Sequence, residues 1–450
     1  MLKRYTLGPM AKLWAREETK FEHWLDVEIA VLRARVAMGE LPRAAYDAIH
    51  AVAENHVMDV ERIDELDRLF RHDMIAFVTA FQEAAEANGA GEHKGKFHQM
   101  VGSYDIEDPA MILMLRQATR EIIGAFRILE AAIRGKAVVH KWTWMIARTH
   151  GQWAQPTTFG CLLMVFREEM RRNIGRLEWI VENELGEGKL SGEVGCYTGV
   201  SPATEESALA YLGLKPAAAE TQILQRDRHA MLLGAFAIAA ATIEQMCRTF
   251  WEMMRSEVHE LEEPRSKKQR GSSGMPHKRN PILTEQLQGL ARLIRGYAHT
   301  AVENIATPEC RDISQSSVER HIFPDACALL YYMAMKAAEL VGGLVIFEKK
   351  MIFWLVEGSG GVWASQRVKD ALIDAGVDPS AAYDYTQSAC FMAQRTGRHL
   401  RDVLRELPEC DGSLRTLADL IGRERLESFF DVQALTERGV THIFRNESEG

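Results

Sequence analysis

Apolar residues recur every three or four positions along much of the chain. Ile63, Leu66, Phe70, Met74, Phe77 and Phe81 trace one stripe of that period, the mark of a helix buried along one side, with His72 off the stripe beside Arg68 and Thr79. A glycine-rich stretch, 84–104, then closes an N-terminal unit. Long segments of helical character follow at 108–148, 158–185, 222–262, 281–303 and 324–356. The second begins after Pro156, where Thr157 or Thr158 can cap the unpaired amides of the first turn. Strand-like alternation is hard to find. EGSGGVWA at 357–364 punctuates again, and shorter helices are expected near 365–376 and 380–396. Helices this long, several apolar on more than one face, predict an all-α protein built round a bundle, its members covered by one another or by neighbouring subunits. Three domains are expected: 1–105, 106–356 and 357–450.

Composition narrows the classes. At 450 residues the chain can bury a large core, and 47% hydrophobic with 26% charged residues argues against long disorder. A formal net charge of −9 speaks against a general nucleic-acid binder but allows a local cationic pocket. The seven cysteines form no CxxC pair, which reads as reduced thiols in a cytoplasmic protein. The N-terminus lacks a signal-type apolar segment, and the longest apolar run, 231–243, is too short to span a bilayer, so no membrane partner is expected.

Candidate chemistry sits in polar islands between these segments. There is no Walker loop, dinucleotide fingerprint, HExxH or zinc-spaced Cys/His cluster, so a mechanism without metal or cofactor is the default expectation. FRHDMIAF offers Arg71, His72 and Asp73. ARTHGQWAQPTTFG ends a helix at Thr149 and His150. RGSSGMPHKRNP, 270–281, places two serines on a glycine-bearing turn beside Lys278, Arg279 and Asn280, and CRDISQSSVER offers Arg311, Ser316, Ser317 and Arg320. Each has a plainer reading. A lone histidine at a helix end is often a cap, Arg-His-Asp a solvated ion pair, Gly-Ser a linker, and the lysines near 267–279 a phosphate-binding patch. Together they suit an anion. The loop is rich in backbone N–H groups, the helix starting near Pro281 turns its positive dipole end toward it, and two arginines nine residues apart can hold a second anionic group. Histidine supplies a proton near neutral pH.

The eleven residues GSSGMPHKRNP resemble the signature loop of the fumarase/aspartase superfamily. The chain is most similar to its adenylosuccinate lyase branch through KRYTLGPMAKLW, RHDMIAF, RTHGQWAQPTTFG, TQILQRDRHA, LARLIRGY, RDISQSSVERHIFPDA and ASQRVKDALIDAGV. That resemblance implies an all-helical, three-domain subunit whose long helices assemble into a homotetramer with active sites shared between subunits. The expected activity is elimination of fumarate from a dicarboxylate, most simply adenylosuccinate. Alternatives are a related lyase on another succinyl-amine or a carboxymuconate cycloisomerase.

By the same resemblance the catalytic residues are His150 as general acid, Ser272 as general base and His72, with His72 and His98 supporting the site and contacting substrate. Arg4, Tyr5, Arg71, Asp73, Ser103, Gln222, Lys278, Asn280, Gln286, Arg311, Ser316 and Arg320 fall at or beside substrate-binding positions. Some positions depart from the family's usual pattern. GSYD stands in place of Thr-Ser-Ser-Asp, changing a hydroxyl pair to Gly102 and Tyr104. Glu309 and Cys310 replace His-Glu, Gln315 a common histidine, and Gly274 an alanine.

Overall fold

The computed structural model describes residues 1–55, 58–270, 272–408 and 410–447. The all-α expectation holds. The helices are α1 (Gly8–Trp14), α2 (Glu17–Ala37), α3 (Arg43–Asn55), α4 (Val60–Phe70), α5 (Asp73–Ala87), α6 (Ser103–Val139), α7 (Phe159–Asn183), α8 (Pro202–Tyr211), α9 (Asp227–Met253), α10 (Ile282–Glu303) and α11 (Ser314–Gly343). Shorter helices follow, among them α12 (Glu348–Phe353), α13 (Ser365–Asp374) and α14 (Pro379–Thr396).

Two compact units account for these elements. Unit 1 comprises Met1–Ile128, Met170–Glu244 and Leu287–Ala337; unit 2 comprises Leu129–Glu169, Gln245–Gln286 and Ala338–Gly450. By those bounds α6, α7, α9, α10 and α11 each contribute a stretch to both.

In unit 1 an aromatic cluster joins α2 and α5 to the segment before α6. Phe21 stacks on Phe77 at 5.9 Å, Trp24 meets Phe77 edge-on at 5.4 Å, and Phe81 stacks on Phe97 at 4.1 Å. Such pairs add about 0.5–1.5 kcal/mol each beyond the area they bury. The 63–81 stripe is two helices rather than one. Ile63, Leu66, Met74, Phe77 and Phe81 are buried as expected, but the chain turns at Arg71 and leaves Phe70 partly exposed.

Unit 2 carries the largest departure from the sequence reading. The segment 108–148 is not one helix: α6 ends at Val139, and an antiparallel hairpin follows, β1 (Trp144–Thr149) and β2 (Gln152–Thr158). Its two-residue tip is His150–Gly151, with φ of 55° and 73°, the signs a type I′ turn requires. Thr149 and His150 therefore close a hairpin, not a helix. Thr158 does cap α7, accepting the Cys161 amide at 3.1 Å. Gly160 is obligatory at this junction, since a Cβ there would lie 2.6 Å from the Ala137 carbonyl oxygen.

The C-terminal helices pack Leu355, Trp363, Val368, Leu372, Leu400 and Leu404 into a core that also takes Ile146 of β1. Two further segments were overdrawn. The 222–262 segment is helical only over α9, and 324–356 divides into α11, which begins ten residues earlier, and α12. Among the described residues α9 is the one helix long and apolar enough to cross a membrane, but 61% of its apolar window is buried within the protein, as in a core helix.

Candidate active site

Most of the expected site residues of unit 1 meet where helices begin. Arg71 takes left-handed backbone, φ 55°, at the end of α4. This frees His72 to cap α5, its ring Nδ1 accepting the Ile75 amide at 3.5 Å. Asp73 opens α5 and pairs with Arg320 of α11 at 2.8 Å and with Lys20 of α2 at 3.8 Å. Burial pushes the Asp73 carboxyl upward, but the charges of Arg320 and Lys20 outweigh it and hold the group below the usual range. Ser103 opens α6, Arg311 precedes α11, and Ser316 and Arg320 lie on that helix. These side chains, with Arg71, His72 and Asp73, line a cavity of about 240 Å³. Three guanidiniums facing one space suit a multiply charged anion.

Several charged groups of unit 1 are buried and paired. Arg226 of unit 1, only 2% exposed, holds Asp108 at 3.0 Å and Glu319 at 2.8 Å. Lys189 reaches Asp105 of α6 at 2.5 Å, and Asp105 also accepts the amides of Gly102 at 2.8 Å and Gly192 at 3.1 Å. Such anchoring fixes the start of α6, and with it Ser103.

Tyr104, 4% exposed, enters the cavity wall. Arg311 lies over its ring at 3.8 Å, and its hydroxyl accepts the Gln315 side-chain amide at 3.3 Å. Burial and the charges of Glu107 and Asp108 push the phenol far above its ordinary value, so it stays protonated. A second cavity, about 340 Å³, adjoins the first through Asp73, Tyr104, Glu107, Ser316 and Arg320.

The remaining unit 1 residues lie outside the cavity wall. Gln222 accepts from Arg311 at 3.4 Å and donates its amide to Glu193. A Cβ at Gly102 would sit on that Glu193 carboxylate, so glycine at 102 is what lets Glu193 approach. His98 adopts φ 58°, with its amide 3.1 Å and its ring Nδ1 2.6 Å from the buried Glu28 carboxylate. Burial lowers the imidazole's proton affinity, yet the hydrogen bond and charge of Glu28 more than offset this and raise it. Arg4 and Tyr5 form a short 3-10 turn, the Tyr5 ring edge-on to Tyr332 at 5.1 Å.

Unit 2 holds the other group. Arg148 of β1 makes a two-pronged pair with the fully buried Glu260, at 3.0 and 3.1 Å, which fixes the hairpin two residues before His150. His150 itself is exposed at the tip. The Ser272 Oγ accepts the Met275 amide at 3.1 Å, a donor that favours its oxyanion form. Lys278 and Asn280 line a cleft of about 900 Å³, where Arg279 is already paired with Glu262 at 2.8 Å. Gln286 lies on the second turn of α10.

One expectation fails here. The positive end of α10 is not open to a substrate anion, because the buried Glu263 accepts the amides of Thr284 at 2.6 Å and Leu283 at 3.1 Å. Gly271, within the signature loop, lies outside the described residues.

The expected residues thus form two sets, one in each unit. Among the described residues no hydrogen bond joins His150 to Ser272. Strained backbone marks both sets, since Arg71, His98 and His150 all have positive φ without being glycine. Sequence reasoning missed Glu107, Glu28 and Lys20. Glu107 had a usable signal, lying three residues after Tyr104 and hence on the same face of α6.

Comparison with known proteins bears on the family and the fold. Residues 7–296 match the model of a family described as lyase. An adenylosuccinate lyase of Thermotoga maritima is 39% identical over 444 residues, spanning 99% of both chains. That of Aquifex aeolicus is 40% identical over 412 residues, 91% of this chain and 92% of the relative. A fumarate lyase structure from Mesorhizobium sp. BNC1 superimposes with a TM-score of 0.87 at 22% identity over 99% of each chain. A β-carboxy-cis,cis-muconate cycloisomerase from Acinetobacter calcoaceticus sp. ADP1 gives 0.84 at 18% over 98% of each, a likeness of fold alone.

Proposed function

The chain belongs to the adenylosuccinate lyase family, and from that premise we propose that it eliminates fumarate from adenylosuccinate, leaving AMP, and acts likewise on the succinyl-carboxamide intermediate of purine synthesis. The observation that carries the reading is full-length likeness to lyases of that name, 39% over 99% of the chain. The arginine-lined cavity supports it, since adenylosuccinate carries a phosphate and two carboxylates.

In this reading Ser272 removes the proton from the carbon beside a succinyl carboxylate, and the electron pair is held as an aci-carboxylate. Lys278 and Asn280 face that charge, and fixed donors of this kind are each worth roughly 3 kcal/mol in the transition state. The C–N bond then breaks as His150 protonates the departing nitrogen. His72, His98, Arg71, Asp73, Ser103, Gln222, Gln286, Arg311, Ser316 and Arg320 hold the substrate, with Arg4 and Tyr5 at its edge. No metal or cofactor takes part.

We further read the protein as a cytoplasmic homotetramer with the three-segment division 1–105, 106–356 and 357–450. Large apolar side chains left exposed on the long helices, Ile128, Val165, Ile238 and Leu293 among them, support assembly through those helices. Sites shared between subunits belong to the same reading.

Incubating the purified protein with adenylosuccinate and following ultraviolet absorbance tests the assignment; stoichiometric AMP and fumarate are expected. A second reading, a different succinyl-amine on the same chemistry, is favoured by Tyr104 in the cavity wall. It becomes the better one if adenylosuccinate is untouched at micromolar enzyme.

A further inference from the structure

Glu107 borders both the 240 Å³ cavity and the 340 Å³ cavity beside it. Charged and titratable groups face it from every side: Asp73 of α5, Arg320 of α11, Lys20 of α2, and Asp108 and Tyr104 of its own helix. The cations among them already have carboxylates. Arg320 and Lys20 reach Asp73, and the neighbouring Arg226 is divided between Asp108 and Glu319. Among the described residues Glu107 makes neither a hydrogen bond nor an ion pair, and the surface it keeps opens into the cavities. Its shielding from bulk water, reinforced by the charge of Asp73, lifts the carboxyl to about 8. At neutral pH it therefore carries a proton, and a carboxylic acid without an acceptor in the chain is a donor left for a ligand.

We propose that Glu107 is a further substrate-binding residue, meeting the phosphate of a phosphate-bearing substrate as the neutral acid and donating its carboxyl hydrogen to a phosphate oxygen. Arg71, Arg311 and Arg320 supply the positive charge of the site, and Glu107 lines the same cavity as a neutral donor. Ionised, the same side chain sets a negative charge against the anion and the site loses affinity. Binding near pH 8 therefore draws a proton from solvent onto each ionised Glu107, and no bond of the substrate changes in that step. The inference rests on the reading of the substrate as adenylosuccinate.

The test is calorimetric titration of the full chain with AMP at about pH 8, in two buffers of different ionisation heat. Wild type is compared with Glu107→Gln, which keeps the size and a donor but cannot titrate. Wild type is expected to take up more protons per site than the variant. Its KM for adenylosuccinate is expected to rise roughly tenfold from pH 7 to 9.5, while that of the variant stays within about twofold. Glu107→Val, which removes the donor, is expected to weaken AMP binding roughly tenfold at pH 7. Equal proton uptake by wild type and Glu107→Gln, or unchanged AMP affinity in Glu107→Val, overturns the proposal. The same titration with inorganic phosphate separates two failures. Uptake dependent on Glu107 with phosphate, but no AMP binding, sinks the adenylosuccinate reading and upholds the phosphate contact. AMP binding without such uptake sinks the contact and leaves that reading standing.

Discussion

Arg226 grips Asp108 and Glu319 with contacts between 2.8 and 3.1 Å in a fully buried setting, whereas Ser272 is tied by a single amide from Met275. The first arrangement belongs to the cavity of unit 1, the second to the signature loop of unit 2. A cavity assembled from helix starts and buried ion pairs is preorganised, so an anion enters donors already in place. The Ser272 hydroxyl sits partly buried on a loop with few contacts, which has little to lose by moving, as the proposed role of that loop requires. The contrast divides labour: changes in the cavity should appear in binding and stability, and changes at the loop or hairpin tip in turnover.

The largest expected effects test that division at its sharp end. Ser272→Ala and His150→Ala should each lower kcat by roughly 10²–10⁴, with melting temperatures within about 2 °C of wild type, because neither side chain supports the fold. Steady-state kinetics and scanning calorimetry check both halves. Arg226→Met should do the reverse in kind. It strands two buried carboxylates and should cost about 3–5 kcal/mol in a denaturant titration. Arg320→Ala removes a charged contact from the cavity wall and should raise KM roughly 10- to 100-fold while kcat changes little.

A pH series sharpens the picture of the cavity further. Burial, reinforced by the charge of Asp73, raises the Glu107 carboxyl in the folded protein to about 8 from its ordinary value of 4.5. The native state therefore binds the extra proton between those values, and stability from this group is full below the lower one and lost as pH rises through the upper. Glu107→Gln should remove that loss, so its melting temperature should gain on wild type as pH climbs from 5 to 9. The smallest effect belongs to the hairpin. Gly151 has φ 73° with open space where a Cβ would go, so Gly151→Ala should cost only about 1 kcal/mol of backbone strain, read as a small drop in melting temperature.

Periodicity made the long helices legible, because each buries a stripe whose spacing survives in the sequence. The start of α7 and the extent of α10 were readable to within a residue from Pro156, the threonines and Pro281. The hairpin was not. β1 and β2 are short and only partly buried, so apolar and polar residues alternate weakly, and the His-Gly tip that decides the turn looks like a helix end. The break at Arg71 was hidden for a similar reason, since the apolar spacing runs through it unaltered. Among site residues, those in compact motifs, such as Arg71, His72, Asp73, Arg311, Ser316 and Arg320, were visible and do converge. Glu263 was not, because which anion caps α10 depends on how a loop folds back. Glu107 was missed because an acid on a helix is usually solvated, and its spacing from Tyr104 does not by itself reveal burial beside Asp73.

The division of labour is tested most directly by equilibrium binding of adenylosuccinate to Ser272→Ala, set beside fumarate release by the same protein. Affinity within about threefold of the wild-type KM, with almost no fumarate formed, is the expected result. Fumarate release at the wild-type rate would contradict the role of the loop, and loss of binding would contradict the claim that the cavity holds substrate without it.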